Sequence, residues 1–239
     1  MKLLKRIYVS VFGLKNYFLT VSRLFFIFYK TGLLRLNRHF DCHYYIRHLI
    51  RNGDHVVDIG ANFGYYTVLF SDLVKTGSVY AVEPVELYRS ILKKNIGRRK
   101  NVEIFPFALG DENKENIQMG IPGKDISRHG LTRIMDTGES NAKTFSVAMR
   151  NPLELFSGIE KINYIKCDVE GYEMHIIPIL LPLIQKHHPI IQIETSGENK
   201  INLISLLENT GYKTYYVKGD DLLPLNSPRK EHFGDLIFK

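Results

Sequence analysis

The sequence predicts an α/β protein: a Rossmann-like, seven-stranded, mostly parallel sheet with helices on both faces, preceded by an N-terminal helical segment. Three observations carry this. Strands and helices alternate from His55 onward, the pattern of a layered sheet with right-handed crossovers. Several strands are continuous apolar runs, such as Ile190-Ile191-Gln192-Ile193, which suit a sheet covered on both faces. The first strand also ends in "DIGANFGYYT", with Gly60 and Gly64 four residues apart behind Asp58.

The helical segment comes first. Residues 1–51 carry ten Lys/Arg and one acid, Asp41, for a net charge of +9, whereas the rest of the 239-residue chain sums to −2. The basic excess is therefore local, which argues against a general nucleic-acid-binding surface and for one basic contact zone. Ile7, Val11, Leu14, Phe18, Val21, Phe25 and Phe28 fall within roughly a 100° arc of a helical wheel, with Lys2, Lys5, Arg6, Lys15, Arg23 and Lys30 on the other side. Lys15 and Arg23 interrupt the stretch and make it a poor transmembrane helix. No small-residue cleavage site marks a signal peptide. Two readings stay open: a helix that packs on the core or on a second copy, and a helix lying on an anionic membrane surface. In the second, residues 1–30 form a docking element separable from the rest. The boundary is drawn at 51/52, with a basic amphipathic extension over 1–51 and an α/β domain over 52–239.

The remaining elements follow in order. Strands are expected at 55–60, 78–83, 101–107, 162–168, 189–194, 212–218 and 234–238, the last two as an antiparallel edge pair. Helices are expected at 65–75, 86–97, 171–186 and 199–210, the last stopped by Gly211. Residues 111–150, richer in Gly, Asp, Asn and Ser, read as a loop or hairpin insertion over one sheet edge. The composition, 44% hydrophobic, allows a substantial core. Cys42 and Cys167 form no disulfide framework or metal-ligand spacing, so a reducing compartment is the default. Cys167 reads as a small core residue.

The glycine turn selects among ligands. In open α/β sheets ligands bind at the carboxyl ends of strands where strand order reverses. A dinucleotide fingerprint needs glycine at 62 and 65, where Asn62 and Tyr65 stand. A phosphate loop needs Gly at 65 followed by Lys, and finds Tyr65-Tyr66. What remains is D-x-G-x-x-x-G with no basic residue, which suits a ligand with a cationic or zwitterionic tail. Glu83 ends the next strand, about 20 residues later, where an acid pairs with ribose hydroxyls in nucleotide-binding α/β folds.

"VVDIGANFGYYT", "VYAVEP", "FALGD", "IKCDVEGYE" and "IIQIE" resemble, in order and spacing, the FkbM-type S-adenosylmethionine-dependent methyltransferases, over roughly residues 50–215. D-x-E-G-x-E at Asp168–Glu173 comes closest to a family signature. The resemblance implies S-adenosylmethionine as cofactor. Asp58, Gly60 and Gly64 would flank its methionine part, Glu83 would hold the ribose, Phe107-Ala108 would border the adenine, and Asn62 would also bind the cofactor. It also implies methyl transfer to an oxygen, often a sugar hydroxyl. One departure is Met149-Arg150-Asn151, where members often carry Thr-Leu-Asp.

A hydroxyl is a weak nucleophile, so a base beside it helps. Asp168 and Glu170 are the candidate catalytic residues, with Glu194 able to converge on them. Three carboxylates would alternatively collect a divalent cation, a reading not favoured because no spacing rule enforces it. Glu170 has a structural alternative, accepting N–H bonds at the start of the following helix. His175 and His129 are lesser base candidates, and Arg128, His129 and Arg133 would form a polar acceptor lid. The expected protein is a cytoplasmic O-methyltransferase acting on a carbohydrate or glycolipid, with peripheral contact at the inner membrane face left open. Its alternative is a non-catalytic domain of the same fold that binds a partner or membrane through its N-terminal helix.

Overall fold

The computed structural model describes residues 2–121, 133–134, 143–227 and 234–239. Helix α1 (Lys2–Lys30) is broken at Gly13, whose φ/ψ of 79°/158° is not helical. The break splits the apolar stripe that a continuous helix would present. Ile7 and Val11 are exposed before it, while Phe18, Leu19 and Ser22 are buried after it. Phe18 lies 5.0 Å from the ring of Phe63 and 6.4 Å from that of Tyr88. Asn95 Nδ2 donates to Ser22 Oγ at 2.9 Å. The second half of α1 thus packs on the domain. By length and composition alone Arg6–Lys30 is apolar enough to cross a membrane. Its buried face is nevertheless already taken by the domain.

Two short 3-10 turns lead into α2 (Asp41–Tyr45). Just beyond it, Ile46 and Ile50 enter a core cluster with Val56, Tyr66 and Phe70. The layered part runs β1 (His55–Ile59), α3 (Tyr65–Val74), β2 (Ser78–Val82), α4 (Glu86–Ile96) and β3 (Val102–Phe105). After β4 (Ala108–Leu109) come β5 (Lys114–Ile121), β6 (Arg133–Ile134) and β7 (Lys143–Arg150). Then follow α5 (Pro152–Leu155), β8 (Tyr164–Cys167), α6 (Glu173–His187), β9 (Ile190–Ile193), α7 (Gly197–Glu208), β10 (Thr214–Lys218), β11 (Asp221–Pro224) and β12 (Leu236–Phe238).

The main sheet has eight strands in the order β11-β10-β12-β9-β8-β1-β2-β3. The five strands from β9 to β3 pair in parallel. Two details correct the sequence reading. An eighth strand, β11, pairs antiparallel with β10 at the edge. And the expected antiparallel pair of β10 and β12 forms, but not at the edge: β12 lies between β9 and β10, antiparallel to both. The all-apolar Leu236-Ile237-Phe238, fully buried, needs cover on both sides, and the interior slot supplies it. Strand order reverses between β1 and β8, opening the crevice where ligands of such sheets bind.

Side chains on the two faces have different fates. Val57, Ile59, Ile165, Cys167, Ile191 and Ile193 pack with α6 and α7 in the largest core cluster. On the opposite face the register sets Asp58 against Lys166 and Lys166 against Gln192. A row of polar side chains therefore crosses the middle of the sheet. The 111–150 stretch contributes β5 and β7, paired antiparallel, to a smaller sheet ordered β4-β7-β5-β6.

Candidate active site

Asp58 is 1% exposed at the end of β1. Its Oδ2 accepts from Thr67 Oγ1 at 2.5 Å, and its Oδ1 is buried without a partner. Burial pushes its carboxyl up, opposed by the Lys166 ammonium and the Thr67 hydroxyl. The chain then turns through Gly60, at φ 81°. A Cβ there would sit 1.8 Å from the carbonyl oxygen of Asp168. Gly60 is thus needed chiefly because the end of β8 lies against it. Gly64, at φ 83°, starts α3, and a Cβ would meet Leu92 Cδ1 at 2.5 Å. Both glycines serve chain-on-chain packing as well as the turn.

Asn62 adopts φ 51° between them. Its N–H donates to Glu83 Oε2 at 2.9 Å, while its own Oδ1 is buried and unpartnered. Glu83 also accepts from Val85 N at 2.8 Å and is 4% exposed. Burial pushes it up to about 7, against the pull of those two N–H groups. A left-handed asparagine carrying an orphaned oxygen is strain held at a ligand-facing turn.

Gly60, Asn62, Glu83, Phe107, Ala108, Asp168 and Glu170 all line one cleft. The Arg150 guanidinium lies 4.8 Å over the Phe107 ring, so the departure at Met149-Arg150-Asn151 falls behind this wall. Asn151 caps α5, accepting from Leu153 N at 2.9 Å.

The D-x-E-G-x-E stretch divides its acids. Asp168 Oδ2 accepts from Lys166 Nζ at 2.9 Å. Glu173, 2% exposed, accepts from Val169 N at 3.0 Å and Gly171 N at 3.1 Å through Oε1. The structural role considered for Glu170 therefore belongs to Glu173. Glu170 sits at φ 54° with its carboxyl pushed up to about 7 by burial, then by Asp168 and Glu173.

A second cleft meets the first at Gly60, Asn62 and Asp168. Its charged floor is Asp58, Lys166, Asp168, Glu194 and Asp235, and α1 walls it with Val21, Leu24, Phe25 and Phe28. Asp168 raises the Glu194 carboxyl pKa, with burial adding to the effect. Asp235 Oδ2 accepts from Gln192 Nε2, and from the Tyr66 hydroxyl at 3.4 Å. The Lys166 Nζ stands 4.8 Å over the Tyr66 ring. Among the described residues no three His, Cys, Asp or Glu side chains are grouped to hold a metal ion. The centre of this acidic group holds a lysine ammonium instead.

Lys166, Asp235, Leu24 and His43, all lining this cleft, escaped the sequence reading. Lys166 had a signal, a lone charge inside a continuous apolar strand. His43 had none. It arrives from α2, stacks on Tyr66 at 4.0 Å, and keeps a buried, unpartnered Nδ1. Burial, with Lys166 adding, holds it down to about 3, so the ring is neutral. Of the other candidates, His175 stacks on Tyr172 at 4.1 Å and lines neither cleft. Arg128 and His129 lie outside the described residues, and of Arg133 only the backbone pairing with Gly120 is described.

The residues present fit S-adenosylmethionine. Asp58 Oδ1 and Asn62 Oδ1 are buried acceptors lacking donors, beside a turn suited to an α-ammonium group, and Glu83 ends the next strand where a ribose diol donates. The methyltransferase FkbM domain profile matches residues 58–214. A 77-residue stretch is 39% identical to protein-L-isoaspartate O-methyltransferase of Methanosarcina mazei, covering 31% of this chain and 28% of that protein. The AMB antimetabolite synthetase AmbE of Pseudomonas aeruginosa is 24% identical over 156 residues, 51% of this chain and 7% of its own length. The chain therefore spans 28% or less of these two curated relatives. Among solved structures, methyltransferase FkbM from Methylobacillus flagellatus KT is similar at 14% identity and a TM-score of 0.48, covering 82% of this chain and 49% of that one. The sheet order is that of the class I methyltransferase fold, and with two thirds of its length matched by the profile, the chain belongs to the FkbM methyltransferase family.

Proposed function

We propose that this protein transfers the methyl group of S-adenosylmethionine to a hydroxyl oxygen of a carbohydrate or glycolipid. The observation that carries the reading is Asp168, which lines both clefts and is held by Lys166 where they meet. S-adenosylmethionine supplies an already activated methyl, so the chain's task is alignment and exclusion of water.

Each residue's part follows from its position. Glu83 accepts the ribose hydroxyls, and Phe107 and Ala108 border the adenine. Asp58 Oδ1 and Asn62 Oδ1 take the α-ammonium, which gives their buried oxygens the donors they lack. The acceptor lies in the second cleft with its hydroxyl against Asp168. Lys166 fixes that carboxylate through Oδ2, and the carboxylate would take the hydroxyl proton as the oxygen–carbon bond forms and the methyl–sulfur bond breaks, the thioether S-adenosylhomocysteine leaving. Glu170, whose pKa of about 7 matches a neutral medium, is the second site that holds or moves that proton.

The test is transfer from methyl-labelled S-adenosylmethionine to a panel of glycans and glycolipids. Label recovered as a base-stable ether supports the reading. Label only on nitrogen, or as a base-labile ester, replaces it.

A further inference from the structure

We infer that the acceptor is lipid-linked and that α1 presents it from an anionic bilayer, serving at once as membrane contact and as wall of the acceptor cleft. This rests on the hydroxyl-methylation reading and narrows its substrate class. The observation is a shared pair of residues: Leu24 and Phe28 line the second cleft and are also 43% and 38% exposed at its mouth. Exposed apolar area continues from them onto Ile27, 53% exposed, and into the following turn at Leu33, 49%, and Leu36, 85%. Apolar side chains therefore continue outward from the α1 side of the cleft, whose lining also includes the exposed His39.

Three properties of α1 select a bilayer as the occupant. Successive faces of its second half have different duties: Phe18 and Ser22 are buried in the domain, Val21 and Phe25 line the cleft, and Leu24 and Ile27 face outward. Arg23 and Lys30 are exposed on the same helix, within a 51-residue segment holding ten Lys/Arg and one acid. Outward apolar side chains beside basic ones complement acyl chains beneath anionic headgroups. Inside, the cleft is polar at the bottom, with Lys166, Asp168 and Glu194, and aromatic along the α1 side, with Phe25 and Phe40. A ligand matching both ends is an amphiphile, its hydroxyl-bearing head at Asp168 and its hydrocarbon chain running past Phe25 to the mouth. A free sugar would leave the aromatic wall wet.

The experiment has two arms, both on the full chain. In the first, the protein is sedimented with phosphatidylcholine vesicles, with and without phosphatidylglycerol as the minority lipid. Binding should require phosphatidylglycerol and weaken at least about tenfold in Ile27→Ser/Leu36→Ser, whose residues lie outside both clefts. In the second, calorimetry compares methyl glucoside with dodecyl glucoside below its micelle concentration, with S-adenosylhomocysteine present. The dodecyl compound should bind at least about tenfold more tightly, and Leu24→Asp, at the exposed mouth, should remove that advantage. No vesicle binding, or equal affinity for the two glucosides, overturns the inference. Methyl transfer to free sugars with no preference for the chain would leave hydroxyl methylation standing and sink only the lipid-linked acceptor. Chain-dependent binding without transfer to any hydroxyl would do the reverse.

Discussion

Lys166 and Asp168 are joined by a 2.9 Å ion pair in which the lysine is 2% exposed and the aspartate 24%. Burial alone would discharge the ammonium. The carboxylates of Asp168, Asp58 and Asp235 outweigh that effect and hold its pKa above the ordinary lysine value. One buried cation thus serves three acids on three different strand ends, and each of them faces a cleft where chemistry is proposed.

Lys166→Met should therefore cost stability as well as turnover. Removing one partner of a buried pair leaves uncompensated charge, worth about 3 kcal/mol or more. In urea unfolding, Lys166→Met/Asp168→Asn should cost less than the sum of the two single variants, because the second change removes one of the orphaned charges. Additive losses would mean the pair is not coupled.

The two turn glycines should differ sharply. Gly60→Ala drives Cβ to 1.8 Å from a backbone carbonyl, whereas Gly64→Ala meets the movable end of Leu92 at 2.5 Å. Both carry the positive-φ penalty, about 1 kcal/mol. Only Gly60→Ala must also push β1 and β8 apart, so it should lose both soluble expression and S-adenosylmethionine binding. Gly64→Ala should keep measurable binding with a lowered melting temperature. The reverse order would show that the turn, not the strand contact, makes glycine necessary at 60.

What the sequence made legible was local. Asp58, the glycine turn and Glu83 are marked by residue types that only a strand-end site requires, and the buried strands by unbroken apolar runs. Long-range choices left no such marks. Nothing in Leu236-Ile237-Phe238 says that it slots between β9 and β10, since pairing partners are not written in a strand's own pattern. A helical wheel cannot show that Gly13 breaks α1, nor that Phe25 faces a cleft while Phe18 meets Phe63. Glu173 was legible as part of a motif but not as the residue that fixes the turn, because three acids at Asp168, Glu170 and Glu173 look alike until their backbone neighbours are known.

The anchoring of α1 gives a third prediction. Phe18→Ala should destabilise the protein by about 3 kcal/mol or more, the cost of emptying an aromatic site. Tyr88, one of its ring neighbours, also lines the first cleft, where the cofactor is proposed to bind, so cofactor affinity should fall too. Differential scanning calorimetry with and without S-adenosylmethionine checks both. An unchanged melting temperature would return α1 to the status of a detachable arm.

The raised pKa of Glu83 sets two opposite pH trends. Between the usual glutamate value and about 7, the folded protein keeps a proton that the unfolded chain has released. Ligand-free stability should therefore fall as pH rises through that window. In the proposed site the ribose hydroxyls would donate to the ionised carboxylate, so S-adenosylmethionine affinity should instead rise as pH passes through about 7. Calorimetric titration across that range should show the increase in the native protein and a flatter profile in Glu83→Gln. A flat native profile would remove Glu83 from the ribose site.

Glu170 and Glu173 should separate chemistry from scaffold. Glu173 Oε1 accepts from Val169 N and Gly171 N, the N–H groups of the residues on either side of Glu170, and so ties down the turn that carries it. Glu173→Ala leaves both N–H groups without their acceptor, at about 1–3 kcal/mol, and should lower stability and turnover together. Glu173→Gln keeps a carbonyl oxygen at the same place and should restore most of both. Glu170 behaves otherwise in every respect. It holds a left-handed φ of 54° that Gln adopts as readily as Glu, and its carboxyl makes no hydrogen bond among the described residues that the fold depends on. Glu170→Gln should therefore leave the melting temperature and S-adenosylmethionine affinity within error while kcat falls at least about tenfold, the signature of a group whose charge acts only as the proton moves. Should Glu170→Gln retain full kcat, proton transfer falls to Asp168 alone. Should Glu173→Gln behave like Glu173→Ala, the negative charge, not the hydrogen bonds to Val169 and Gly171, is what holds the turn.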